Sequence, residues 1–339
     1  MTKSDSRITL SHGGGGRASA QLIDQLFFKY FKNPLLAQRN DQALFQPPAG
    51  RLVMSTDSHV VSPLFFPGGN IGALSVHGTI NDLAMAGAKP LYLSAAFILE
   101  EGLLYSDLEK IVMSMAEAAQ QAGTPIITGD TKVVERGKAD GVFITTTGIG
   151  VVAEGVSISS ELATPGCAIL INGSIGDHGI AIMACREHLS FSAEIQSDSC
   201  ALHELVAEIL MAAPGAVRCL RDPTRGGVAA VLNELATQSA VGMLLNEEAL
   251  PIKPEVQAVC EILGLDPLYV ANEGKLIVIC EANYAETILA SMRRHPLGRA
   301  AAIIGYVTDG PKTMVEMTTL MGGMRMIDWP LGEQLPRIC

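Results

Sequence analysis

Two hydrophobic periods alternate along this chain, one typical of strands and the other of helices. The predicted strands are Leu52–Thr56, Pro90–Leu99, Ile126 into Lys132, Val142–Val152, Cys167–Ile171, Val241–Leu245, Leu276–Cys280 and Ala301–Tyr306. The predicted helices are Ala18–Phe31, a stretch containing Val76 to Ala84, Ser106–Ala122, Ile180–Leu189, Leu202–Met211, Gly227–Thr237, Ile252–Leu263 and Tyr284–Arg294. This alternation predicts an α/β or mixed α+β fold.

Local signals predict where one helix starts and where the domains divide. Ser106 and Glu109 have the spacing of a capping box, in which each side chain satisfies a free backbone amide at the helix start. The periodicity fades over residues 154–165, which end in a turn typical of a domain junction. The predicted units are an N-terminal domain of residues 1–158, a C-terminal domain of residues 159–325 and a flexible tail of residues 326–339.

Composition excludes several classes of protein. The chain has 339 residues, of which 48% are hydrophobic, enough for a large core in two domains. Its formal net charge of −11, with no run of Lys or Arg, argues against a nucleic-acid partner. The apolar runs are too short to cross a bilayer, and residues 1–7 have no apolar segment typical of a signal peptide. We therefore expect a cytoplasmic protein with no membrane partner.

The cysteines point to one unusual thiol. None of the seven has the paired spacing of a zinc or iron–sulfur site, and most are expected to be reduced core residues. Cys339 differs because it ends a segment with no strand or helix period. The segment from residue 326 onward can span about 45 Å when extended. A thiol on such a segment can visit more than one site.

Aspartates in short polar segments predict a metal and nucleotide site. They are Asp57, Asp82, Asp130 and Asp222, separated by long apolar elements that can fold them together. Carboxylates repel one another unless a cation offsets their charge, and Mg²⁺ usually combines one or two carboxylates with substrate phosphates. Each aspartate alone is more typical of a loop or helix cap, so the prediction of Mg²⁺ and a nucleoside triphosphate depends on the group.

A glycine run adds a possible phosphate-binding feature. It consists of Gly13, Gly14, Gly15 and Gly16 and precedes the predicted helix Ala18–Phe31, whose N-terminus favours an anion. A flexible leader has the same composition. The chain has no Walker A loop, and the glycines of Gly148–Ala153 lie within a predicted strand, which excludes a dinucleotide motif. Any nucleotide must be held by a different device.

Motifs over nearly the whole chain resemble those of the HypE family of hydrogenase maturation factors. The motifs are Ser55–Ser58, Phe65–Gly72, Asn81-Asp82, Gly129–Val134, Gly176–Gly179, Arg221–Gly227, Asn272–Lys275 and Pro336–Cys339. HypE belongs to the superfamily of aminoimidazole ribonucleotide synthetase (PurM), selenophosphate synthetase and thiamine-monophosphate kinase, which shares the aspartate motifs. The segment around Lys132 and the terminal Cys339 are more specific to HypE.

The resemblance implies a fold, a reaction and partners. The fold would be PurM-like, with an N-terminal ATP-binding domain, a C-terminal α/β domain, a flexible tail and a homodimer formed through the N-terminal domains. HypF would carbamoylate Cys339, and ATP with Mg²⁺ would then drive dehydration of the S-carbamoyl group to a thiocyanate. The cyano group would pass to iron on a HypC–HypD scaffold as a ligand for [NiFe]-hydrogenase.

The resemblance also implies residue roles. The nucleotide-binding residues would be Gly13, Gly14, Gly15, Gly16, Asp57, Asn81, Asp82, Asp130, Thr131 and Asp222, with the four aspartates as metal ligands. Lys132 would bind the transferring phosphoryl group, and Glu273 would take the amide protons, with His178 as the alternative base. Without the resemblance, a solvated Lys132, an ion pair of Glu273 with Lys275 and a turn role for His178 are equally consistent.

Two other functions use the same residues differently. A selenophosphate synthetase-like or other small-molecule kinase would use the ATP site without the tail, and a non-enzymatic scaffold would use the tail only for docking. For the thiol of Cys339 itself, the neighbouring α-carboxylate disfavours ionisation. We therefore expect a thiol that is not unusually acidic and that needs its loading partner for activation.

Overall fold

The computed structural model describes residues 6–187, 195–332 and 337–339. The helices are α1 Arg17–Leu22, α2 Phe28–Tyr30, α3 Ile71–Met85, α4 Tyr105–Gln121, α5 Asp177–Arg186, α6 His203–Ala212, α7 Gly227–Ser239, α8 Pro254–Leu263 and α9 Ala285–Arg294, with a π-helical stretch Ile23–Phe27 between α1 and α2. The strands are β1 Arg51–His59, β2 Phe65–Phe66, β3 Gly69–Asn70, β4 Ala88–Glu100, β5 Ile126–Val134, β6 Val142–Val152, β7 Ala168–Ile171, β8 Val217–Arg221, β9 Gly242–Asn246, β10 Ile277–Cys280, β11 Ala302–Thr308, β12 Val315–Thr318 and β13 Met324–Met326.

The N-terminal half is built on a four-stranded sheet with the order β1-β6-β4-β5. Burial alternates residue by residue along β6, so one face of the sheet is covered and the other is open. Helix α3 packs on the covered face against β1, β4 and β6, and α4 packs against α3. The open face carries exposed apolar side chains, including Leu52, Met54 and Ile98.

Helix α3 is held in place at its start and by close packing along its length. The Asn70 side chain caps it by accepting a hydrogen bond of 2.8 Å from the Gly72 amide. Gly72 lies so close to α4 that a Cβ there would be 2.2 Å from the Ile111 carbonyl oxygen. This packing fixes α3 beneath the sheet and brings its Asp82 to Ser55 of β1.

The C-terminal half is built on a seven-stranded sheet with the order β13-β12-β9-β11-β7-β10-β8. Strands β7 and β10 are buried at every residue because both faces of the sheet are covered. Core residues of α7 cover one face, and those of α6 and α9 cover the other. Ile277 of β10 pairs with both Ile171 of β7 and Arg221 of β8. The segments after β7, after β8 and before β10 therefore leave the sheet at the same end.

The mixed α/β expectation is confirmed, with three local corrections. The predicted capping box is wrong: α4 begins at Tyr105 with Leu104 as its N-cap and no side-chain cap bond. Glu109 instead accepts a hydrogen bond of 2.7 Å from the Tyr30 hydroxyl. Strands β8, β12 and β13 were not predicted, and β13 places Met326 in the sheet rather than in a loose segment.

The structure does not test two kinds of prediction, the end of α5 and the domain limits. The predicted end of α5 is Leu189, which lies outside the described residues, as does Pro336. The domain limits at residues 158 and 325 stay a prediction. Among the helices of the described residues, none is both long and apolar enough to cross a membrane.

Candidate active site

The last three residues of the chain lie along residues 60–62, directly after β1. The Val60 amide donates a hydrogen bond of 3.1 Å to the Cys339 backbone oxygen, and the Ser62 amide donates one of 3.2 Å to the Arg337 carbonyl. Ile338 is 2% exposed and belongs to a core cluster that combines residues of the N-terminal half with residues of α5 and α8. The last three residues of the segment predicted to be mobile therefore have a defined docked position on the chain.

Two side chains of α5 contact the docked segment through its backbone. His178 Nε2 lies 2.7 Å from the Ile338 carbonyl oxygen. The Arg186 guanidinium donates to the Arg337 carbonyl at 2.9 Å and to the Ser62 carbonyl at 3.0 Å and 2.8 Å. Arg337 itself forms an ion pair of 2.6 Å with Asp140.

The docked thiol meets a buried carboxyl group. The Cys339 thiol is an electrostatic neighbour of Glu273, whose side chain is buried and whose Oε1 atom has no hydrogen-bond partner. Burial, followed by the charges of Asp222 and Asp198, raises the pKa of Glu273 well above its usual value. Burial and the neighbouring Glu273 raise the pKa of the Cys339 thiol in the same direction. Burial therefore favours the protonated, neutral form of both groups in this state.

This result agrees with the expectation of a thiol that is not unusually acidic, but the main causes differ. The expected cause was the α-carboxylate, whereas burial and Glu273 have the larger effects in the docked state. The charge of Arg225 acts in the opposite direction and lowers the thiol pKa.

Glu273 is positioned by the segment that precedes β10. Its amide donates 3.1 Å to Asp198 Oδ1, and its carbonyl accepts 3.1 Å from the Asn81 side chain. Lys275 pairs with Asp198 at 2.6 Å, so the ion pair of Glu273 with Lys275 is not formed. Gly274 is required by close approach, since a Cβ there would lie 1.8 Å from the Asp198 carbonyl oxygen.

Asn81, predicted to bind nucleotide, has a structural role in this state. Besides Glu273, its side chain donates to the Cys200 carbonyl at 3.0 Å and accepts from the Leu202 amide at 2.8 Å. It therefore joins α3 to two segments of the C-terminal half.

An acidic group surrounds Glu273 on the covered side of the first sheet. Ser55 Oγ donates 2.6 Å to Asp82, whose pKa is raised chiefly by burial. Asp222, directly after β8, has its pKa raised to about 7 by burial and then by the charges of Asp82 and, more weakly, Asp57. The structure thus brings Asp57 and Asp222 into electrostatic contact with Glu273, while Asp82 interacts with Asp57 and Asp222.

Asp57 has a buried histidine neighbour that the sequence did not indicate. His59 is 1% exposed, and its Nε2 lies 3.3 Å from Asp57 Oδ2. Neither ring nitrogen of His59 has a hydrogen-bond partner, and burial lowers its pKa.

The remaining predicted residues lie elsewhere. A cavity of about 720 Å³ is lined by Gly13, Gly14, Gly15, Asp130, Thr131 and Lys132, among others. Gly13 packs on β5, where a Cβ would lie 2.7 Å from the Val133 amide nitrogen. Gly16 does not line this cavity and instead precedes α1 as its N-cap.

Within one chain the four aspartates do not form a single cluster. Asp57 on β1 and Asp130 on β5 occupy opposite edges of the sheet, about 14 Å apart at the usual strand spacing. The pairings Asp57 with Thr146 and Ala96 with Asp130 also put their side chains on opposite faces, because neighbouring positions alternate. In the part of the chain that is described, no group of three or more His, Cys, Asp or Glu residues can hold a metal ion by itself.

Sequence reasoning missed the residues that hold the docked segment. Val60 and Ser62 act through backbone amides, and Arg186 binds carbonyl oxygens, so no residue pattern marks them. Asp198 lies far along the chain from Lys275, with which it forms a buried ion pair. Only His178 was selected from a motif.

Known proteins are similar to this chain over nearly its whole length. Residues 39–152 match the N-terminal domain of AIR synthase related proteins, and residues 164–317 match the C-terminal domain of the same proteins. The carbamoyl dehydratase HypE of Cupriavidus necator is 64% identical over 334 residues, which cover 98% of this chain and 95% of that protein.

Solved structures agree. A crystal structure of the hydrogenase maturation protein HypE in complex with ATP is 50% identical, with a TM-score of 0.94 over 97% of this chain and 99% of that one. A HypE–HypF complex structure contains a chain that is 49% identical, with a TM-score of 0.81 over 91% of this chain and 99% of that one. The resemblance found from the motifs and the PurM-like fold are both confirmed, and the chain belongs to the carbamoyl dehydratase HypE family of hydrogenase maturation proteins.

Proposed function

We propose that this protein uses ATP to dehydrate a carbamoyl group carried on its own Cys339, giving a thiocyanate that supplies the cyanide ligand of [NiFe]-hydrogenase iron. One observation carries the proposal most directly. The terminal thiol docks against buried Glu273, beside Asp57 and Asp222, where a carbamoyl group on the sulfur would meet a proton acceptor and an acidic group.

The chemistry requires a leaving group and two proton acceptors. The carbamoyl oxygen attacks the γ-phosphorus of ATP, ADP leaves, and the nitrogen gives up one proton, which forms an S-linked iminophosphate. The carbon–oxygen bond then breaks, phosphate leaves and the second nitrogen proton is removed, which forms the carbon–nitrogen triple bond. ATP is needed because hydroxide is a poor leaving group and phosphate is a good one.

The three clustered aspartates fit a magnesium–nucleotide complex. Burial, and after it the charge of Asp82, raises the pKa of Asp222, and a divalent cation would stabilise the ionised carboxylates and offset their repulsion. Because no group of the described residues holds a metal alone, Asp57, Asp82 and Asp222 would bind Mg²⁺ together with phosphate oxygens. Mg²⁺ would offset charge on the transferring phosphoryl group.

A homodimer would unite residues that one chain keeps apart. Lys132, Asp130, Thr131 and the glycine run lie at the β5 edge, whereas Cys339 lies next to β1 at the other edge. The open face of this sheet exposes Leu52 and Met54 at 54% and 70%. Pairing two open faces would cover these apolar side chains and place the β5 residues of one chain near the aspartates of another.

Substitution of Met54 by glutamate should weaken this dimer, because the introduced charge would lose water in the interface. We expect sedimentation velocity to show a shift from dimer to monomer at micromolar concentration. Met211→Glu is the matched control, since Met211 is 71% exposed on α6, and it should leave the oligomeric state unchanged. A monomeric parent protein, or a Met54→Glu dimer as tight as the parent, would contradict the arrangement.

The partners follow from the chemistry and the relatives. We propose HypF as the donor of the carbamoyl group, supported by the HypE–HypF complex of a related chain. A HypC–HypD iron scaffold would accept the cyano group. All of these steps would take place in the cytoplasm.

Intact-mass spectrometry tests the function as two separate events. Incubation with HypF and carbamoyl phosphate should add one carbamoyl group to Cys339. After the carbamoylated chain is purified, ATP and Mg²⁺ should remove the mass of one water. Cys339→Ser is the control and should show neither change.

Other outcomes decide between functions. Loading without water loss would indicate that the tail only docks, as in a scaffold. Turnover of ATP with a small molecule, unchanged in Cys339→Ser, would indicate a kinase of the superfamily.

A further inference from the structure

We propose that Arg186 is a positioning residue that controls how much of the time the tail is docked. Its guanidinium joins the Ser62 carbonyl, on the segment after β1, to the Arg337 carbonyl of the tail. The planar fork of arginine suits such a bridge, because two of its nitrogens can bind Ser62 while one of them also reaches the tail.

The docking groove recognises the main chain of the tail at successive residues. Arg186 and the Ser62 amide bind the Arg337 carbonyl, His178 binds the Ile338 carbonyl, and the Val60 amide binds the Cys339 oxygen. Ile338 is the apolar anchor of the segment. This mode of binding is independent of the group carried on sulfur, so an empty tail and a loaded tail can use the same groove.

The contacts also assign the proton on His178. The Ile338 carbonyl can only accept, so Nε2 carries hydrogen and donates to it. Nδ1 then accepts from the Ser197 hydroxyl at 2.8 Å. Both ring nitrogens are engaged while the tail is docked, which makes His178 a second positioning residue rather than the alternative base.

Of the two positioning residues, Arg186 is better suited than His178 to control docking of the tail. His178 is completely buried and also packs against Phe66, with ring centroids 5.6 Å apart, so it serves the core as well. Arg186 is half-buried, and its guanidinium donates hydrogen bonds to the tail and to Ser62. Loss of its side chain therefore removes docking energy while leaving the packing of α5 intact.

This inference rests on the proposed function, in which the same thiol must leave the groove for loading and return for dehydration. Docking partly buries Cys339 and raises the pKa of its thiol, so reaction with iodoacetamide reports chiefly the undocked fraction, without ATP or any partner. We expect Arg186→Met to raise the alkylation rate of Cys339 about tenfold, which corresponds to about 1.4 kcal/mol. Arg186→Lys, with one donor group, should give an intermediate rate.

Two controls separate docking from damage to the fold. Arg294→Met removes an exposed arginine at the end of α9 and should leave the rate unchanged. Cys185 precedes Arg186 on α5, is itself a free thiol and should be alkylated at the parent rate in every variant. Rates are read by peptide mass mapping at both cysteines.

The outcomes are distinct from those of the mass experiment. An unchanged Cys339 rate in Arg186→Met, or a parallel rise at Cys185, would overturn the proposal. A selective rise at Cys339 supports it. If the parent protein never loses water from a carbamoylated thiol, the proposed function fails, whereas the alkylation result still decides the role of Arg186.

Discussion

Replacing Glu273 with glutamine should slow the dehydration of carbamoylated Cys339 by about 10²–10⁴-fold, the usual contribution of a general base. The amide keeps the size of the side chain and can still accept a hydrogen bond, but it cannot take a proton. Loading by HypF should proceed at the parent rate, because it takes place with the thiol outside the groove. Single-turnover mass spectrometry after ATP addition measures the loss of water directly.

The pH dependence gives a second measurement of the same role. Burial raises the pKa of Glu273, so the ionised form that accepts protons becomes more abundant as pH rises. The dehydration rate of the parent should therefore increase with pH, and that increase should be absent in Glu273→Gln. Glu261→Gln, on the exposed side of α8, serves as the control. A Glu273→Gln rate within threefold of the parent would exclude this carboxylate as the base.

Replacing Asp222 with asparagine should stabilise the ligand-free protein most strongly in mildly alkaline solution. The folded pKa of Asp222 is about 7, against 3.8 for an ordinary aspartate. The folded state binds the Asp222 proton more tightly than the unfolded state does. The free energy of unfolding therefore falls as the pH rises from 3.8 to 7, where the folded protein must lose that proton. The expected gain for asparagine is on the order of 4 kcal/mol at pH 8 and about 1.5 kcal/mol at pH 5.

Chemical denaturation at the two pH values, without nucleotide or Mg²⁺, measures this difference. Asp309→Asn replaces an exposed aspartate and should change the free energy of unfolding little at either pH. If Asp222→Asn were equally stabilising at both pH values, or destabilising at pH 8, the pKa of Asp222 would not be raised in the folded protein.

The same variant should bind MgATP more weakly, since it removes a proposed ligand.

The sequence predicted those parts of the fold whose period is regular. Val142–Val152 was predicted with the limits that the structure gives, because every second residue of that strand faces the covered side of the sheet. The seven-stranded sheet was harder to predict. Strand β12 alternates in burial over only four residues, and the edge strand β13 has three residues that are all exposed, so both are too short to give a distinct strand signal in the sequence.

A motif can single out a residue for a site, but it does not give the partners of that residue in space. Glu273 was predicted as the base for the carbamoyl protons on Cys339, and it lies beside that thiol. The ion pair with Lys275, the alternative reading of Glu273, is replaced by the Asp198–Lys275 pair. Ser106 and Glu109 had the capping spacing, yet Tyr30 competes for the Glu109 carboxylate. Such competition between distant residues leaves no local pattern.

The position of Asp130 shows the same limit at larger scale. Like Asp57, it lies in a short polar segment, but strand order and side-chain alternation put the two carboxylates at opposite edges and on opposite faces of one sheet. Neither the order of the strands nor the contacts between chains can be predicted from the sequence pattern. Grouping the four aspartates by their polar segments therefore predicts that carboxylates bind a metal and a nucleotide. It does not predict whether one chain supplies all of them.

The common exit of three segments from β7, β8 and β10 has a consequence for divergence. These strands are buried throughout or nearly so, and their residues pack in cores on both faces, which leaves little freedom for substitution. The segments that they support carry His178, Asp222 and Glu273. Substitutions that change the substrate can accumulate in these three short segments while the sheet stays constant. One ancestral fold can therefore give rise to enzymes with different chemistry.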